Sequence, residues 1–413
     1  MRMKQPAQQT AHYQTYPRGH FPVILAYGFR PFFLLAPAYL ILSVLLWGAI
    51  WTGWLTLGFT ENLLEWHIYE LLFGVTSAMM IGFILTAVPE LVDKATPIVG
   101  KPLLFLVALW VLGRISFWLM DWLGIFWVAL TNIALLSTVV AWVAKPILSD
   151  PLRRQHTLLL MFCLVIVTQA AFFLSKLGWV LMDSLAVLKF AVGVFMMLVL
   201  VAVRLINMRG INEWMKQKGI DDVFYTRAPY YNIAIVTVFI YTVVELITPN
   251  NPILTWLAFA AMAAILSTIN DFFNTDTHIV TKPFIWPLLM ILSLLATGYG
   301  LMGLSALLEE FTNINHFRHI LTMGALGMAY FVVLITVVHI HTGRELKENN
   351  WIGFGALLII LATALRAGLT PFFPEYANSF YGLSAILWAL PYLGFLIIFH
   401  KWLLSPRADG LKG

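Results

Sequence analysis

Charge is what this sequence has least of. Only 11% of its 413 residues are Asp, Glu, Lys or Arg, where a soluble domain carries about a quarter. Too little polar surface remains to face water, so most of the outside must face lipid. Cysteine is almost missing: Cys163 stands alone within an apolar run. One thiol excludes an intramolecular disulfide framework, a four-cysteine iron–sulfur site and a CxxC redox pair. Residues 1–22 are polar and contain no apolar h-region, so no cleaved signal peptide is expected and the first helix should serve as the insertion signal. The lysines and arginines are spread over short loops, which argues against a nucleic-acid partner.

What is present is hydrophobic: 61% of residues, with 16 Trp and 30 Phe. Trp and Tyr of this abundance are expected where helices meet lipid headgroups. A bilayer core about 30 Å thick needs about 20 apolar residues per helix. On that measure the sequence predicts an all-α polytopic membrane protein of about twelve transmembrane helices in one bundle. Spans are expected over 32–52, 66–88, 102–120, 124–145, 157–181, 185–206, 229–247, 252–270, 283–303, 316–340, 351–370 and 380–404. Breaks fall at turn chemistry such as Lys145-Pro146, Pro249 to Pro252, Lys282-Pro283 and Pro371 to Pro374. With these spans, one face receives only Arg114, Lys176, Lys189, Arg318 and Arg366 of the 25 lysines and arginines. The positive-inside rule then puts both termini in the cytoplasm. Residues 1–25 form a polar cytoplasmic segment, 26–405 the membrane domain and 406–413 a cytoplasmic tail. No internal repeat is visible. The basic stretch from Arg209 to Ala228 reads as a solvated connector.

Ionisable groups inside a span are costly, and those present carry the information. His67 and Glu70 lie in the first turn of the second helix, and His316 and His319 open the tenth. Both helices are even-numbered and run the same way, so His67 and His319 lie near the same membrane face. Two imidazoles from facing helices suit the axial positions of a haem iron. Glu70, at i+3, is placed to accept the ring N–H of His67. Gly74, two turns on, would let a flat macrocycle approach. Read on residues alone, each histidine serves equally as an interfacial group hydrogen-bonded to water or headgroups. At 100° per residue, His316, His319, Met323, Tyr330 and His341 share one stripe of the tenth helix, with His339 opposite. His319 and His341 are about 33 Å apart along the axis, so they cannot share a metal. At the far face, a copper or second haem site would draw on His20, His278, His339 and His341, with no choice among them. Arg30 and Arg344 are candidates for binding haem propionates or lipid phosphates.

These residues also carry a family resemblance. Gly28-Phe29-Arg30-Pro31-Phe32-Phe33, His67-Ile68-Tyr69-Glu70-Leu71-Leu72-Phe73-Gly74, Gly82 to Pro89, His319 to Met328, and His341-Thr342-Gly343-Arg344 resemble, in order and spacing, hallmarks of the NnrS family. That resemblance implies a bacterial inner-membrane protein associated with denitrification and nitric-oxide stress. It implies haem, expected of b type, with copper as a further cofactor. It makes His67, His319 and His341 the leading metal ligands, and places Arg30, Glu70 and Arg344 in the functional core. The chain departs from the family pattern at Glu90-Leu91, where Asn-Trp is usual, at Thr336 for an Arg and at Leu289 for a His. The helix count is also similar to that of haem–copper oxidase catalytic subunits, but no adjacent His-His pair is present.

Three functions follow from different classes. One is a haem protein that senses, sequesters or converts nitric oxide entering from the bilayer. Another is a transporter of a metal or small solute, with Pro89, Pro287 and Pro391 breaking helices near a substrate site. The third is a non-catalytic assembly subunit of a respiratory complex. No catalytic residue and no oligomeric state are assigned.

Overall fold

The computed structural model describes residues 15–56, 62–92, 95–153, 155–275, 277–346 and 349–413. Residues 1–14 of the expected N-terminal segment lie outside the described residues. Among the described residues, twelve helices are long and apolar enough to cross a membrane. Numbered in chain order, they are α1 (Phe29–Trp51), α2 (Leu63–Leu91), α3 (Lys101–Trp118), α4 (Ile125–Leu148), α5 (His156–Lys176) and α6 (Ser184–Gln217). The second half comprises α7 (Ala228–Ile247), α8 (Ile253–Phe273), α9 (Trp286–Leu307), α10 (Asn313–His341), α11 (Asn350–Leu369) and α12 (Pro374–Leu404). Each matches one expected span, and no strand occurs among the described residues. The reason is general: lipid offers backbone N–H and C=O groups no partner, so an apolar run satisfies them within its own helix.

Burial separates the helices into two groups. α2, α6 and α10 lie 83%, 78% and 89% inside protein, against 28–61% for the other nine. Every fourth helix is therefore central, and the rest pack around these three. α1 runs along α12, and α8 along α9. Large apolar side chains such as Leu42, Phe105, Leu160, Val167 and Ile397 point outward, as lipid-facing surface requires.

α6 overturns one expectation. The helix has 34 residues, about 51 Å at 1.5 Å per residue. It continues well into the stretch read as a solvated connector. Its extension buries Ile206, Asn207, Gly210, Ile211, Trp214 and Met215. That recurrence every three to four residues marks an amphipathic helix, which a reading by polarity alone overlooks. The loop that follows is pinned back: Asn212 donates to the Phe224 carbonyl at 2.9 Å and accepts from the Phe224 N–H at 2.8 Å.

The 406–413 tail is docked rather than free. Arg407 Nη1 donates to the His341 carbonyl at 2.7 Å, and the Ala408 N–H to Thr342 O at 2.9 Å. Gly343 turns the chain between these contacts at φ 71°, a left-handed conformation that favours glycine. A hydrogen bond from Arg407 holds the Asp409 carboxyl below the usual carboxylate range.

Three of the described helices contain a π-helical segment. π-Helical segments occupy Glu70–Val75 in α2, Ile320–Leu326 in α10 and Ala364–Leu369 in α11. The first begins three residues after His67, and the second directly after His319. A π turn widens the backbone and is most often found at functional sites. It also inserts about one residue into the helical repeat, so side chains beyond it rotate by about 100° against those before it. The regular 100° repeat expected from His316 to His341 is therefore interrupted at Ile320–Leu326, although His319, Met323 and Tyr330 still line one cavity.

Candidate ligand site between the second and tenth helices

His67 and His319 line one cavity of about 360 Å³. It lies among α1, α2, α6, α10, α11 and α12, near the end of the bundle where α2 and α10 begin. Its walls are mainly apolar and aromatic, with Trp47, Leu71, Leu188, Met323, Leu326 and Trp388 prominent. This size and lining suit a small-molecule or cofactor pocket.

The imidazoles are held in different ways. His319 Nδ1 donates to the Asn315 carbonyl, one turn back, at 2.9 Å. That bond fixes the tautomer and leaves Nε2 with a free lone pair, as in ligating histidines generally. His67 stacks on Trp47 with centroids 4.1 Å apart and planes 10° apart. Its Nδ1 is buried and has no hydrogen-bond partner among the described residues. A buried polar nitrogen left in this way is costly and calls for a partner the protein does not supply.

Both π turns are secured by an indole from a neighbouring helix. Trp110 of α3 donates to the Gly74 carbonyl at 3.0 Å, and Trp388 of α12 to the Met323 carbonyl at 3.0 Å. Tyr392 adds a hydrogen bond to the Gly327 carbonyl at 2.8 Å. Carbonyls released by the wider turn are thus satisfied from outside the helix. Across the cavity wall, the Thr76 and Tyr330 hydroxyls pair, tying α2 to α10.

Glu70 does not serve His67. It faces away from the cavity and ion-pairs with Arg114 of α3, whose guanidinium also donates to Asn132 of α4. Gly74 likewise leaves no room for a macrocycle. A Cβ there would strike the Glu70 carboxylate and the Arg114 guanidinium, so the glycine exists to admit that pair. A second buried pair joins Arg318 to Glu245 of α7 through two hydrogen bonds, of 3.0 and 2.8 Å.

Arg30 and Arg344 lie away from the cavity. Arg30 is fully buried and donates to the carbonyls of Leu403, Ser405 and Gly413 at 2.8, 2.9 and 2.8 Å. It caps the end of α12, where helix carbonyls lack intrahelical partners. Arg344 rests over the Trp402 ring, 4.6 Å from its centroid. The histidines at that end are also dispersed. His341 Nδ1 meets Glu90 Oε1 at 3.1 Å and stacks against Tyr27. His339 donates to the Ile335 carbonyl at 2.8 Å, between the edges of Phe399 and Trp402. His20 and His278 are exposed. Among the described residues, no three His, Cys, Asp or Glu side chains come together as a metal site. His316 accepts from Arg366 Nη1 at 3.0 Å.

Sequence reasoning missed Lys189, Arg366, Trp47 and Trp388 as parts of the cavity, although the first two were visible as charges within apolar spans. They were counted only as topology markers.

The fold and cavity define a polytopic α-helical membrane protein with two imidazoles facing one intramembrane pocket. The model of the family described as NnrS protein matches residues 23–407, and the chain belongs to the NnrS family. No curated protein matches it.

Proposed function

We propose that this protein holds a haem through His67 and His319 and acts in the nitric-oxide response of the bacterial inner membrane, in connection with denitrification. The observation that carries the reading is the shared cavity. One imidazole presents a free Nε2 because its Nδ1 is spent on Asn315, and the other has a buried Nδ1 that nothing in the protein satisfies. The donor set fits a haem: two neutral nitrogen ligands from separate helices, an apolar and aromatic lining, and no carboxylate in that lining. A bound haem would supply an iron that binds nitric oxide and exchanges single electrons. The protein's own part is to fix the imidazoles, through the Asn315 carbonyl and the Trp47 ring, and to keep bulk water from the pocket. Nitric oxide partitions into lipid and would reach the cavity laterally.

Twelve spans and the uneven distribution of lysine and arginine support cytoplasmic termini. The cavity then opens near the outer leaflet. Copper is left out of the proposal, because no three metal-ligating side chains converge at the far face among the described residues: His341 meets Glu90, His339 packs between Phe399 and Trp402, and His20 and His278 are exposed.

The test is optical. Protein purified in detergent is expected to show a Soret band that shifts under nitric oxide and is lost or strongly weakened in both His67→Ala and His319→Ala. A band unchanged in both variants would end the proposal.

A further inference from the structure

Three cations line the histidine cavity, and no carboxylate does. Arg318 is already matched by Glu245. The oxygens of Glu245 are taken by Arg318 and by the Tyr241 hydroxyl at 3.0 Å, and Lys189 is exposed at the pocket edge. Arg366 has no carboxylate partner among the described residues. It sits in the π segment of α11, with one nitrogen on His316 and its guanidinium 4.3 Å from the centroid of Tyr381. Arg366 is thus a half-buried cation in the pocket wall with no acid of its own among the described residues, and Lys189 is a second, exposed cation at its edge.

The unmatched charge of Arg366, half-buried inside a span, is expensive and marks a ligand site. The geometry around Arg366 adds to this. Its stacking on Tyr381 and its bond to His316 hold the planar group in place, which favours two-pronged recognition of a carboxylate.

We infer that Arg366 and Lys189 are the seats of two carboxylates carried by the ligand, and that they set which edge of it faces the pocket mouth. The inference rests on the haem reading above and deepens it. The ligand is a macrocycle with two free propionates, and its charge closes the balance left by the protein. Arg366, being the less exposed of the two, is the stronger seat. It is a binding and positioning residue toward that group.

The test compares two ligands on one protein. Full-length protein produced under haem limitation is titrated in detergent with haem b and with its dimethyl ester, following the Soret band. The free acid is expected to bind at least about tenfold tighter than the ester, since charge-assisted hydrogen bonds exceed neutral ones in strength. Arg366→Gln should weaken the free acid by a similar factor and leave the ester unchanged, with Arg366→Lys recovering part of the loss. Equal binding of both ligands by the wild type overturns the inference while leaving the haem reading intact. Arg366→Gln weakening both ligands alike also overturns it, because that is the mark of a damaged fold. Uptake of neither ligand by the wild type overturns both readings.

Discussion

Replacing Arg114 with methionine removes the charge that faces Glu70 while keeping a long apolar stem in place. The Arg114 and Glu70 side chains are 6% and 0% exposed, so neither group can recover its hydration when its partner goes. Stranding one member of a buried pair costs about 3–5 kcal/mol, lowered to the extent that Glu70 takes up a proton. Arg114 also donates to Asn132, so the variant loses that bond as well. Glu70→Gln is expected to cost about 3 kcal/mol, because it leaves the guanidinium charged and only weakly matched. In the double variant neither charge remains, and its cost should fall short of the sum of the singles by about 2 kcal/mol. Reversible unfolding in mixed micelles at increasing dodecyl sulfate fraction, followed by circular dichroism, measures all three. The same preparations report on His67, because the structure gives Glu70 to Arg114 and not to the imidazole. The Soret maximum should therefore stay in place in Glu70→Gln. Additive costs, or a Soret shift in Glu70→Gln that Arg114→Met lacks, would refute this assignment.

Four further outcomes are expected. Trp388→Phe leaves the Met323 carbonyl of the α10 π turn without its donor and should cost about 1–3 kcal/mol, read by the same unfolding titration, with loss of haem affinity as the turn relaxes. Arg30→Met strands several carbonyls at the end of α12 and should destabilise by about 3 kcal/mol or more, while haem content per folded protein, from a pyridine haemochrome assay, stays unchanged. His339→Phe should leave metal content by mass spectrometry unaltered, because its ring packs between Phe399 and Trp402 and no group of metal-ligating side chains converges there among the described residues. Asp409 is held below the ordinary carboxylate range by Arg407, so its contribution is present above about pH 4 and lost as pH falls through the lower folded value. The melting difference between wild type and Asp409→Asn should accordingly be flat above about pH 5 and shrink below about pH 4.

The fold was legible because lipid permits so few solutions. An apolar run of the right length becomes a helix, and turn residues such as Pro249 to Pro252 end it. His67 and His319 were also legible, since imidazoles in otherwise apolar spans stand out. What the sequence hid came from two sources. Side-chain pairing across helices has no local signature: Arg114 lies far from Glu70 in the chain, and the short His67–Glu70 spacing made the wrong partner look natural. The π turns were hidden too, because nothing local in Ile320–Leu326 marks a wider turn within an apolar helix. Polarity misled at α6, where the basic stretch after Arg209 conceals the buried Gly210, Ile211, Trp214 and Met215. Charges such as Arg366 were conspicuous, but counting them for orientation obscured that one of them faces a cavity.

The most direct measurement is an experimental density map of the purified, untreated protein at side-chain resolution. The account predicts flat density for one macrocycle between the rings of His67 and His319, with its acidic edge toward Arg366. Well-ordered imidazoles with nothing between them, in protein whose spectrum shows a haem bound elsewhere, would contradict it.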